Sequence, residues 1–287
     1  MATLRDIRRR IGSVKNTQTI TRAMQMVAAA KLRRAQENAL KARPYAEKMG
    51  EVLSSLALRT QGDAHPLLER REAKRARIIV ISAERGLCGA FNNNVLSKAE
   101  GIVKENKKRS IETSLVAVGI KGRDYFKRRK YDRYKEYIDV LGDLKYSLAS
   151  DIGRDMVESY GDKAVDEIGL VYTKFRSTMR QEVVAETLLP IKPMETEPGE
   201  SVIDYIYEPD EERILKEILP RYVEVQIFKA LLESVASEYA ARMMAMEAAT
   251  KNAGELIESL TLSYNKARQA TITKEMLDIV GGSEALK

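Results

Sequence analysis

Few side chains in this sequence could do covalent chemistry, and their placement leaves them little to work with. There is one histidine, His65, and one cysteine, Cys88, in 287 residues. His65 sits in a loop of glycine, aspartate and proline, TQGDAHP (60–66), so neither a histidine metal site nor a Cys/His nucleophile pair can be assembled within the chain. The lone cysteine also excludes an internal disulfide and fits a reducing compartment. One loop has the look of a phosphate cradle. ERGLCGAFN (84–92) follows an apolar run and opens a helical pattern, where backbone N–H groups could hold an anion. Its glycines, Gly86 and Gly89, are spaced G-x-x-G and match neither the dinucleotide nor the Walker spacing. Tight packing of a strand on a helix is the expected use, with Cys88 a buried, small apolar residue. No cofactor is expected.

What remains is the chemistry of binding. The net charge is +7, and residues 1–50 hold twelve Lys/Arg against three Asp/Glu, a balance of +9 that leaves −2 for the rest. That basic segment calls for an anionic partner: nucleic acid, lipid headgroups or an acidic protein surface. No base-stacking aromatics interleave the basic residues, which weighs against nucleic acid. No apolar run approaches the roughly 20 residues that cross a bilayer. The N-terminal residues show neither an apolar signal region nor a cleavage motif.

The elements that carry these residues are two long helices. A strict heptad ladder runs through Leu4, Ile7, Ile11, Val14, Gln18, Thr21, Gln25, Ala28, Leu32, Ala35, Ala39, Ala42, Ala46, Met49, Leu53 and Leu56. A second runs from Val225 and Phe228 through Arg242, Met246, Ala253 and Leu260 to Leu277. Thirteen of sixteen positions are apolar in each. A seven-residue repeat held this long winds a helix left-handedly around a partner, and a helix of some 53 residues is about 80 Å long. Thr3 and Asp6 should cap the first helix; Pro44 should kink or interrupt it. Pro220 should mark the start of the last helix or a kink near it, and Gly281-Gly282 its end. Apolar residues also fall off the seam: Met24, Met26, Val27, Ala29 and Ala30 in the first helix, and Met243, Met244, Ala245 and Ala248 in the last. A helix with apolar residues outside its seam expects to be surrounded.

Between the ladders, strand and helix patterns alternate. Strands are expected at 76–82, 114–118, 134–140, 168–175 and 182–189, the last two as an edge hairpin; helices are expected at 90–105, 121–130 and 145–160. Such alternation predicts a Rossmann-like α/β domain with a mostly parallel sheet. The fold expected is therefore α/β plus a long antiparallel coiled coil of the N- and C-terminal helices, with the α/β domain inserted between them. Pairing of each helix with a different chain is the less economical alternative. The domains read as 1–60 with 210–287 for the coiled coil, 70–195 for the α/β unit, and 196–209 for a proline- and acid-rich loop.

Three stretches carry a family resemblance: IRRRIGSVKNTQTITRAMQMVAAAKLRRAQ (7–36), RGLCGAFN (85–92) and SEYAARMMAMEAATKNAGELIESLTLSYNKARQATITKEMLDIVGG (237–282). In them the chain resembles the gamma subunit of F-type ATP synthases; the chloroplast-type regulatory insert is absent near 190–210, and a start at Met1 without a transit peptide resembles the bacterial form. The resemblance implies a non-catalytic rotor shaft. It would stand inside a ring of three alpha and three beta subunits and rest with epsilon on the ring of membrane c subunits, coupling proton flow to ATP synthesis or hydrolysis. It implies a peripheral position on the cytoplasmic side of a bacterial plasma membrane, with the membrane reached only through the complex, catalysis on beta, and no nucleic acid. Carried over residue by residue, it implies that Arg268 and Gln269 meet a catch loop of beta. Met24 would face an acidic lever of beta, with Arg242, Thr273 and Glu275 in the facing helix region. Ile272, Met276, Ile279 and Val280 would form an apolar bearing tip. Tyr205, Tyr207 and Glu208 would touch epsilon or the c ring at the foot.

Overall fold

The computed structural model describes residues 3–59, 65–191 and 211–284. Helix α1 (Leu4–Arg59) opens with a reciprocal cap. The Asp6 N–H donates to Thr3 Oγ1 at 3.2 Å, and the Thr3 N–H donates back to Asp6 Oδ2 at 3.3 Å. The Thr3 hydroxyl bond, at 2.7 Å, holds the Asp6 carboxyl below its usual range. Pro44 lies inside α1 without ending it, because the neighbouring turns are held by packing: Ala35 and Ala46 are buried on either side of the missing donor's turn. The expected interruption does not occur.

The α/β elements follow in order: β1 (Arg75–Ile81), α2 (Phe91–Lys108), β2 (Glu112–Val118), α3 (Ile120–Arg128), β3 (Arg133–Tyr137), α4 (Tyr146–Gly161), β4 (Glu167–Phe175) and β5 (Gln181–Leu189). They make one five-stranded sheet in the order β3-β2-β1-β4-β5. Strands β1 to β4 are parallel, and β5 is the antiparallel edge partner of β4. β1 is central and buried on both faces, which is why IIVI (78–81) is an unbroken apolar run rather than an alternating one. Ile78 and Val80 pack with Leu115, Ala117 and Val171 against Val95, Leu96 and Ala99 of α2 and Phe126 of α3. On the opposite face, Arg77 is buried. Its Nη1 donates to Ser159 Oγ of α4 at 2.6 Å, its guanidinium lies 3.4 Å from the centre of the Tyr134 ring, and burial lowers its pKa.

The tight approach expected at Gly86 is found elsewhere. A Cβ on Gly86 would meet only the end of Lys121, whereas one on Gly119 would lie 2.4 Å from the Ser82 carbonyl oxygen. Gly119 has φ +96, a conformation open chiefly to glycine. In the 84–92 turn it is Gly89, at φ 56, that needs a glycine, while Cys88 is buried with Ala83 and Phe91.

Helix α5 (Glu211–Glu284) begins before Pro220 and runs through Gly281 and Gly282, so Pro220 does not mark its start and the glycines do not mark its end. The chain divides into two compact units, one of α1 up to Ala28 with α5 from Arg242 onward, the other Ala29–Ala241. In the larger unit, α5 is gripped by the sheet. Ser234 Oγ accepts the Thr173 N–H at 3.2 Å, and Ser237 Oγ donates to the Thr173 carbonyl at 3.1 Å. Pairing of β4 with β1 stops at Val171, so these two serines take the place of a missing strand. Gly153 of α4 lets α5 come close, since a Cβ there would lie 2.7 Å from Glu224 Cγ. Surrounded in this way, α5 is buried on every side from Ala230 to Glu238.

Candidate partner-binding surface

The two ladders describe the seam. Every heptad position of α1 from Leu4 to Leu53 is buried or half-buried. In the larger unit, Lys31 lies over the Tyr239 ring of α5, and further along Tyr45 and Ala46 come together with Val225 and Phe228 around one cavity. Partners rise in number on one helix as they fall on the other, so the helices are antiparallel. The smaller unit repeats the pattern. Gln18 Nε2 donates to the Thr250 carbonyl at 3.4 Å and lies against Gly254, and the Thr21 and Thr250 hydroxyls bond at 2.8 Å. These polar seam residues replace apolar area with a hydrogen bond that fixes register. The alanines leave little to bury: in the smaller unit only Thr21, Ala28, Met246 and Ala253 are buried among the described residues.

The second ladder fails near its end. Leu256 is exposed, Leu260 and Ala267 are half-buried, and all residues from 271 to 280 are exposed. The physical cause is length. Carrying the Thr21–Thr250 register down α1 brings Leu4, its first residue, near Ala267, and beyond that point α5 has no companion among the described residues. Leu277, read as a seam residue, is 66% exposed for this reason.

The resemblance-derived residues therefore fall in two places. Arg268 and Gln269, with Ile272, Thr273, Glu275, Met276, Ile279 and Val280, lie on the single-helix extension, all exposed. Met24 and Arg242 lie lower, half-buried in the paired region. The structure does not bring Thr273 and Glu275 to Arg242: some thirty residues of helix separate them, about 45 Å. Tyr205, Tyr207 and Glu208 lie outside the described residues.

Apolar exposure is concentrated on this unit. Met26 is 70% exposed and Ile279 72%, and Ile20, Val27, Leu262, Ile272 and Met276 are also bare. Ile20 and Leu262 were not singled out from the sequence; apolar residues off the heptad seam were the signal for them. Isolated exposed apolar residues are ordinary, but a helix pair bearing this many is built to be covered. Among the described residues, no group of three or more His, Cys, Asp or Glu side chains gathers into a metal site, and no helix is long and apolar enough to cross a membrane.

An antiparallel helix pair with a bare apolar end in one unit, and in the other a sheet that grips α5, define an interaction subunit of a larger assembly. Comparison with known proteins gives the assembly. The family model for ATP synthase matches residues 3–286. The ATP synthase gamma chain of Geobacter metallireducens is 50% identical over 287 residues, covering all of both chains, and that of Halothermothrix orenii is 50% identical over 291 residues with the same coverage. The chain belongs to the ATP synthase gamma chain family. Its fold is shared with a chain of the Euglena gracilis mitochondrial ATP synthase OSCP/F1/c-ring structure in rotational state 3. That likeness has a TM-score of 0.72 at 20% identity over 99% of this chain and 94% of that one.

Proposed function

We propose that this chain is the rotor of the central stalk of an F-type ATP synthase, transmitting torque between the membrane c ring and the catalytic ring and so coupling proton flow to ATP synthesis or hydrolysis. The single observation that carries the reading is full-length identity of about half with gamma chains. The exposed apolar surface of the helix pair supports it from the physics. In this reading the chain does no chemistry. Residues 1–60 and 210–287 act as the shaft, 70–195 as the globular unit and 196–209 as the foot. Three alpha and three beta subunits sheath the shaft, and catalysis is on beta. Epsilon or the c ring holds the foot, through Tyr205, Tyr207 and Glu208. The site is the cytoplasmic side of a bacterial plasma membrane.

A shaft can drive beta subunits between states only by contacting those states with different free energies. Moving a two-state equilibrium from 1:99 to 99:1 takes about 5.5 kcal/mol of differential contact. One charge-assisted hydrogen bond from Arg268 supplies about 1.5–3 kcal/mol, so Arg268 and Gln269 cannot be the whole cam. Full burial of a side chain such as Ile272, Met276, Ile279 or Val280 is worth about 1.5–3 kcal/mol each. Two or three of them, covered unequally by the three beta subunits, close the gap. Met24 and Arg242 add a second contact level lower on the shaft, where the basic face of α1 meets acidic levers.

The test is co-expression with alpha and beta from the same organism. One copy of this chain should join each ring of three plus three. The Arg268→Ala, Gln269→Ala double variant should still assemble but lose coupled turnover. Failure to assemble, or unchanged coupled activity in the double variant, would refute the corresponding part of the reading.

A further inference from the structure

The seam and its basic first helix leave one strongly charged surface unexplained, on the α/β unit. α2 and α3 lie side by side on one face of the sheet, tied by the Tyr125 and Tyr131 hydroxyls, which both donate to Glu100. Both therefore end at the same edge, where β1, β2 and β3 begin. The two turns leaving them, 104–112 and 127–133, hold nine Lys/Arg against three Asp/Glu. Lys107, Lys108, Arg109, Lys127, Arg128 and Lys130 are all exposed there. None of these six has an ion-pair partner among the described residues. Arg129 is different, with its guanidinium 3.7 Å from the Tyr125 ring centre. Cations in a last helical turn complement the helix dipole, but that effect fades within one turn and needs one or two charges, not six.

The same edge of the sheet is where the chain departs for the foot. β5 runs antiparallel and ends at Leu189, paired with Ile168 near the start of β4, and the Ile191 N–H donates to the Leu67 carbonyl beside it. The basic turns at β2 lie three strand spacings from β5, about 15 Å away. We propose that this basic edge is a lipid-facing surface that takes the headgroups of anionic phospholipids around the ring on which the foot stands. The proposal rests on the rotor reading, because that reading turns this edge toward the bilayer. Charge complementarity selects the partner: the surface is polar and lacks the apolar anchors of a protein interface, and it would attract an anionic bilayer without gripping it. Electrostatic contact of this kind lets a turning subunit slide past headgroups, since no register is specified.

The experiment uses the soluble particle of this chain with its alpha, beta and epsilon partners, in which α1 is sheathed. Its sedimentation is measured with vesicles of phosphatidylcholine alone and of phosphatidylcholine with phosphatidylglycerol. The particle should partition onto the anionic vesicles only, and added salt should release it. Each cation near such a surface is worth about fivefold in partition, so reversing four (Lys107→Glu, Lys108→Glu, Lys127→Glu, Lys130→Glu) should lower binding at least ~tenfold. ATP hydrolysis and assembly should be unchanged, whereas Arg180→Glu, in the β4–β5 turn at the opposite edge, should leave binding as it was. Equal binding by the reversed variant overturns the proposal. So does a loss seen equally when c rings in neutral lipid are the target, because the patch would then serve a protein. A particle that does not assemble with the unaltered chain instead overturns the rotor reading.

Discussion

Ser234 is the position where one hydroxyl does the most for the grip between sheet and shaft. Replacing it with alanine leaves the Thr173 N–H buried, with β1 already ended on that side and β5 occupied on the other. A buried donor left without a partner costs about 1–3 kcal/mol. Ser237→Ala leaves a carbonyl short of one donor, a milder loss of about 0.5–1.5 kcal/mol. Because both serines hold the same residue, the double variant should cost less than the sum of the singles, a coupling readable in a double-mutant cycle. Hydrogen exchange of the Thr173 amide is the direct assay. At 1.4 kcal/mol per decade, Ser234→Ala should speed that amide's exchange by roughly 5- to 150-fold through local opening, while amides of α2 and β2 exchange as before. In the assembled complex, the same variant should lose coupled turnover before it loses assembly, because in the proposed rotor role torque reaches α5 partly through this contact. Unaltered exchange at Thr173 in Ser234→Ala would refute the claim that α5 stands in for a strand.

Two carboxyls predict opposite pH responses. Glu100, held by Lys104 and by the hydroxyls of Tyr125 and Tyr131, has its pKa lowered to about 2. Its contribution to stability is complete above about pH 4.5 and is lost as pH falls toward 2, so Glu100→Gln should destabilise by about 1–2 kcal/mol at pH 7 and by progressively less in acid melts. Glu233 is buried with Oε2 unpaired, and burial raises its pKa against Lys229, Lys174 and Arg43. It loses stability as pH rises above the ordinary carboxyl range, so Glu233→Gln should stabilise at pH 7 and become neutral near pH 4 in the same melts. Gly119→Ala would put a Cβ against the Ser82 carbonyl at a φ that alanine resists, and should cost at least ~2 kcal/mol in urea unfolding. Met26→Ser with Ile279→Ser should leave the melting temperature within about 1 °C while raising the solubility of the free chain, measured by light scattering; a large drop in melting temperature would mean these side chains are packed after all.

The heptad spacing alone determined which face of α1 is covered, since a period of 3.5 admits one seam, and the structure buries or half-buries it at every position described. The alternation of β-branched runs with helical patterns determined the sheet, its parallel strands and its edge hairpin, because each pattern matches a single geometry. Proline signals failed to end a helix where packing overrode them: Pro44 and Pro220 both lie inside helices, their local costs offset by neighbours that only the fold brings, and α5 also runs on through Gly281. The limit of the second ladder was likewise invisible along the chain. Leu260 and Leu277 are the same residue type on the same heptad seam, and only the register with Leu4 decides that one has company and the other has none. The clasp of Ser234 and Ser237 on Thr173, and the meeting of two basic turns at one sheet edge, join residues far apart in sequence. No spacing rule reaches across such separations. Periodicity reports which side of an element is apolar; what that side meets, and where its partner ends, is a property of the folded chain.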